Sequence, residues 1–143
     1  MSELRRDPIG GRWVIIDTDH PSKPEDFEYE PQSYKGGANC PFCYGNESQT
    51  PPEIEAIREP GTAPNTPGWQ VRVVSNKFPA LQVEGGLDRR GLGIYDMSNG
   101  IGAHEVLVET PYHQKDIPDL TNHEIENFLS MYCRRALDLA KDK

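Results

Sequence analysis

Cysteine is scarce in this chain, with three residues in 143, too few for a disulfide framework. Long apolar runs are also missing. No stretch approaches the roughly 20 residues needed to span a bilayer, and the polar opening has no apolar core of signal-peptide length, so a cytoplasmic protein is expected. Positive charge is in deficit: 15 Lys and Arg face 23 Asp and Glu, a formal net charge of −8. No basic stripe suited to a phosphate backbone interrupts that balance, and nucleic acid is not an expected partner. A small anionic ligand is compatible with it, because a few local cations and backbone amides can receive one inside an acidic protein.

What the chain does contain is punctuation. Thirteen prolines and thirteen glycines, against 35% hydrophobic residues, predict one modest domain over residues 1–143 with long irregular connections between short elements. Residues 12–17 are β-branched and aromatic after Gly10-Gly11, which suits a buried strand opened by a turn. Two polar, Pro-containing connections follow, over residues 18–39 and 45–68, and they need a staple between them. Residues 69–76 alternate as a half-buried strand, with Trp69, Val71 and Val73 on one face. Shorter strands are expected at 81–83 and 93–96, and Gly91-Leu92-Gly93 reads as a hairpin turn. After the Asn99-Gly100 turn, His104, Val106 and Val108 share one face of a strand expected to pair with the Trp69 strand. A helix then begins at Thr121, with Glu124 completing a capping box and Ile125, Phe128, Leu129, Tyr132, Ala136, Leu137 and Ala140 as its apolar face. These elements describe an α+β chain, a mainly antiparallel sheet with a packed helix.

The staple is written as Cys40-Pro41-Phe42-Cys43. Thiolates two residues apart on a tight turn can both reach one zinc ion at about 2.3 Å, leaving two positions for other ligands. Loop thiols or a redox couple are the alternatives, although a redox couple would open a helix and the run after Cys43 opens none. Further ligands would come from His20, His104, His113 and His123. His123 reads as a solvated residue in the first helical turn, His104 as partly buried on a strand, and His20 as a loop residue near solvent or an anion. His113 lies at a strand exit beside Pro111-Tyr112, where a ring can turn toward a metal. Arg89 and Arg90 read as solvated, and Cys133 as a small core residue of the helix.

Six ordered blocks then carry a resemblance. They are Glu-Leu-Arg-Arg-Asp-Pro (3–8), Gly-Arg-Trp-Val-Ile-Ile (11–16), Cys-Pro-Phe-Cys-x-Gly-Asn-Glu (40–47), Thr-Pro-Pro-Glu-Ile (50–54), Val-Arg-Val-Val-x-Asn-Lys-Phe-Pro-Ala-Leu (71–81) and Gly-x-His-Glu-Val-x-Val-Glu-Thr-Pro-x-His (102–113). Together they resemble the galactose-1-phosphate uridylyltransferases of the histidine-triad superfamily. The resemblance implies a histidine-triad-like domain and uridylyl transfer between UDP-glucose and galactose 1-phosphate in galactose metabolism, through a covalent histidine intermediate in a homodimer. It implies zinc bound by Cys40, Cys43, His113 and the first His of a downstream His-Pro-His. No His-x-His occurs here, so the nucleophile is missing from this chain, which resembles the N-terminal half of the enzyme and is expected to be inactive alone. Where the family places Arg-x-x-Arg-Pro near the nucleotide phosphates, this chain has His20-Pro21-Ser22-Lys23-Pro24, giving His20 and Lys23 as phosphate contacts without the bidentate arginine fork. Asn76 and Lys77 match the ribose-side contact. The alternatives are a phosphorylase of ADP-glucose or of a dinucleotide polyphosphate, and a non-catalytic zinc-binding interaction module.

Overall fold

A computed structural model of the chain describes residues 2–19, 22–27 and 37–141. Among these residues the elements run β1 (Glu3–Arg6), β2 (Trp13–Ile16), β3 (Glu53–Arg58), β4 (Trp69–Ser75), β5 (Arg90–Leu92), β6 (Tyr95–Asn99), β7 (Glu105–Val108) and α1 (Asn122–Leu139), with short 3-10 turns between them. The pairings between these strands are antiparallel, and with the one α-helix among the described residues this is an α+β structure. The strands divide between two sheets, and the chain clusters into two compact units, residues 1–31 with 78–104 and residues 32–77 with 105–143.

The first unit holds the sheet ordered β2-β1-β6-β5. Its β1–β2 hairpin is made by Asp7, whose carboxylate accepts from the Ile9 and Gly10 amides at 2.9 and 3.0 Å. Gly11 supplies the positive φ of 70° that the turn needs. This pairs Leu4 with Ile15 and Arg6 with Trp13. Strand β1, with the sequence Glu-Leu-Arg-Arg, was not expected from its pattern, because charged residues at three of four positions hide a strand that sits inside its sheet. The neighbouring expectation of a buried strand at 12–17 is also corrected. Trp13, Val14 and Ile15 are 49, 49 and 45% exposed, since β2 is a sheet edge and the unit has no α-helix among its described residues. The turn expected at 91–93 lies slightly later, at Gly93-Ile94 between β5 and β6, while residues 81–83 contribute only an isolated bridge from Gln82 to Ile101.

The second unit places β4 centrally between β3 and β7. The pairing of the Trp69 strand with the strand after His104 is present, with Val73 opposite Leu107 and Val74 opposite Val106. Val71 and Val73 pack with Met131 of α1, bordered by Ile57, Leu107 and Phe128. Strand β4 is more buried than its alternation suggests, because its second face is covered as well. There Arg72, 1% exposed, donates to Thr50 Oγ1 at 2.9 Å and lies 3.4 Å from the Glu53 carboxylate. Both partners come from the segment expected to be connection, which instead carries β3; its two glutamates and the prolines that flank it disguise the strand.

Helix α1 begins as its sequence demands. Glu124 N donates to Thr121 Oγ1 at 3.3 Å while the Thr121 amide donates to Glu124 Oε2 at 2.8 Å. The Thr121 amide first, then Lys115 and the Thr121 hydroxyl, all donating to the Glu124 carboxylate, hold it down at about 2. The buried face is rotated from the one expected: Met131 is fully buried, whereas Leu129, Tyr132 and Leu137 are at least half exposed and Cys133 is exposed rather than in the core. The face turned to the sheet is the one that packs Met131 on Val71 and Val73, and there Arg135 donates to both oxygens of Glu105 on β7 at 2.8 and 2.7 Å.

Candidate metal centre

Everything that forms this centre lies in the second unit. Four successive backbone bonds fold the loop that carries the cysteines: Cys40 N to Gly37 O, Cys43 N to Cys40 O, Asn46 N to Cys43 O and Gln49 N to Asn46 O, at 2.9 to 3.2 Å. Each spans three residues, so the sulfurs of Cys40 and Cys43 leave consecutive turns of one tight coil. His113 reaches them from the loop after β7, and its Nδ1 stands 3.4 Å from Cys43 Sγ. The three ligand atoms all lie within 4.8 Å of one another. Two thiolates on a tetrahedral zinc stand about 3.8 Å apart at the usual bond length of about 2.3 Å, so the donor set and its spacing suit that ion. Gly37 is part of the fit, because a Cβ there would sit 2.5 Å from Cys43 Sγ.

Burial, then the adjacent Cys40 sulfur, pushes the Cys43 thiol above its ordinary value. A divalent cation reverses that preference by stabilising thiolate.

The coil is fixed to the core by two residues that the metal motif alone did not assign. Glu47 is 5% exposed; its Oε2 accepts from Gly45 N and its Oε1 from Trp69 Nε1, both at 3.0 Å. Tyr44 donates its hydroxyl to the Trp69 carbonyl and meets the Trp69 ring edge-on at 5.2 Å. Both stand within four residues of Cys43, and a carboxylate in a turn gives no advance sign of burial. Only the distant Trp69 supplies the reason for it.

Of the sequence-derived site residues, Cys40, Cys43 and His113 come together. His104 is placed elsewhere, with its Nδ1 accepting from Ala80 N at 3.0 Å, and His123 is exposed on the helix. His20 lies outside the described residues. Lys23 is exposed in the first unit, its backbone amide donating to Asp26 at 2.7 Å. Asn76, half-buried, and Lys77, exposed, follow β4 in the second unit.

No family model matches the chain. An ADP-glucose phosphorylase of Arabidopsis thaliana is 34% identical over 97% of this chain and 39% of its own length. A galactose-1-phosphate uridylyltransferase of Thermotoga maritima is 23% identical over 99% of this chain and 37% of its own. The crystal structure of an Arabidopsis thaliana ADP-glucose phosphorylase with bound ADP-glucose superposes with a TM-score of 0.54 at 28% identity, covering 100% of this chain and 39% of that one. The chain thus spans about two fifths of the length of the curated relatives it matches.

Proposed function

Because the chain is homologous over nearly its whole length to galactose-1-phosphate uridylyltransferase and ADP-glucose phosphorylase, which are nucleotidyl- and phosphate-transferring enzymes, we propose that it supplies the metal-bearing part of an enzyme acting on a nucleoside diphosphate sugar. The convergence of Cys40, Cys43 and His113 carries this reading, since it brings residues 70 positions apart to one point in the order the resemblance requires. Zinc bound there would cross-link the cysteine coil to the loop after β7. Cys40 and Cys43 would hold it as thiolates and His113 through a neutral ring nitrogen.

The residues of this chain bind and orient in the proposed reaction. Asn76 is suited to hydrogen-bond a ribose hydroxyl, and Lys77, Lys23 and His20 to offset phosphate charge as point donors. None of His20, His104, His113 and His123 belongs to a His-Pro-His segment, so the transferring imidazole is not among the 143 residues. A histidine-triad-like, homodimeric and cytoplasmic enzyme is part of the same proposal. No helix among the described residues is long and apolar enough to cross a membrane.

Two nucleotide sugars compete for the role of substrate. The six sequence blocks suggest UDP-glucose with galactose 1-phosphate. The higher identity to the phosphorylase, 34% against 23%, favours ADP-glucose, and we adopt ADP-glucose. Calorimetric titration of the zinc-loaded chain with each should show the tighter binding for ADP-glucose and turnover of neither. A preference for UDP-glucose would return the assignment to uridylyl transfer. Binding of neither at millimolar concentration would remove nucleotide-sugar recognition from this chain.

A further inference from the structure

Asn46 belongs to the cysteine coil, and the reaction proposed above gives it no task. Its side-chain nitrogen lies 3.2 Å from Gly37 O, 3.2 Å from Ala38 O and 2.8 Å from Cys40 O. Three carbonyl oxygens around one group call for a donor, which places the carboxamide NH2 there and its oxygen away. Its own backbone amide meanwhile donates to Cys43 O at 3.1 Å. One residue therefore grips the carbonyls of both cysteines, and of the turn that precedes them. The backbone bonds string residues 37, 40, 43 and 46 into an open coil, and the Asn46 side chain closes its end back onto its beginning. Closure sets Gly37 against Cys43 Sγ, at the spacing where a side chain on residue 37 would collide with the sulfur.

We propose that Asn46 is a positioning residue for the metal, holding Cys40 and Cys43 in the geometry that captures a tetrahedral divalent cation before the ion arrives. The proposal rests on the metal-bearing reading of the Cys40, Cys43 and His113 cluster. Binding a cation to a slack loop would spend part of its affinity on ordering the two thiols, and the Asn46 clamp makes that ordering part of folding instead. A side chain that never touches the ion but fixes its ligands typically changes affinity by about 10- to 100-fold.

The test uses the full 143-residue chain and zinc itself, competed against a chromophoric chelator, with the visible spectrum of the cobalt(II)-substituted protein as a second readout. Asn46→Leu keeps the side-chain size and removes the donors without adding charge; Asn46→Ala is the second variant in case the first does not fold. Either should weaken zinc by about 10- to 100-fold and alter the tetrahedral cobalt bands. Met131→Ala, which destabilises the core of the same unit, should leave both readouts unchanged in its folded population. Unchanged affinity and spectrum in the Asn46 variants would overturn the proposal, as would equal weakening by Met131→Ala. If the unaltered chain binds no zinc, the metal reading falls together with it, whereas zinc bound equally by all variants removes only the role of Asn46.

Discussion

The two units use similar strands to different ends. In the second, β4 is covered on one face by α1 and on the other by the Pro-rich segment, so Trp69, Val71, Arg72, Val73 and Val74 are all nearly inaccessible. In the first, β2 carries Trp-Val-Ile-Ile, at least as apolar a run, yet three of those residues are close to half exposed, and the buried residues among those described are Met97, Ser98 and Gly100. Hydrophobicity alone does not make a core. Burial requires a second layer, and among the described residues the unit with a helix is the one that supplies it within itself.

Trp69→Ala should break this contrast most severely. It removes a fully buried indole and leaves the buried Glu47 carboxylate without its Nε1 donor, so a loss of about 3–5 kcal/mol is expected in urea unfolding followed by circular dichroism. Zinc affinity should fall with it, since the Trp69 ring packs against Tyr44 and its Nε1 donates to Glu47 beside the cysteine coil.

A matched pair sharpens the comparison. Val73→Thr places a hydroxyl in the Val71, Val73 and Met131 core and should cost about 1–3 kcal/mol. Val14→Thr makes the same exchange on the exposed edge strand and should stay within about 0.5 kcal/mol. Equal costs in chemical denaturation would mean that β2 is covered in solution.

The smallest effect is one of acidity. Glu124 has a folded value of about 2 against an ordinary 4.5, so its ionised form is the one that folding favours. Its contribution is complete above the ordinary value and is lost as pH falls through about 2. Glu124→Gln keeps a residue able to complete the capping box and removes the titration, so melting temperature measured from pH 5 to 2 should fall less steeply than in the unaltered chain.

Legibility in the sequence followed the range of the interactions involved. The Thr121 and Glu124 cap was plain because its partners are three residues apart, and the pairing of β4 with β7 because both strands alternate cleanly. Strands β1 and β3 were hidden by charged residues that tertiary contacts satisfy: Glu53 binds Arg72 of β4, and Glu3 binds Arg90 of β5. The helix face was misjudged because hydrophobic spacing shows where apolar residues fall, not that Met131 meets Val71 and Val73 while Arg135 binds Glu105 and Tyr132 and Leu137 stay exposed.

For the metal centre, residue types and short spacing were sufficient to nominate Cys40 and Cys43, because two thiols on one tight turn form a local property of the chain. The likeness of the wider motif supplied His113. That the histidine meets the cysteine sulfurs, that Asn46 closes their coil and that Glu47 ties it to Trp69 was settled by folding alone. The His113 and Trp69 contacts join residues 70 and 22 positions apart, which become neighbours only once β3, β4 and β7 pair.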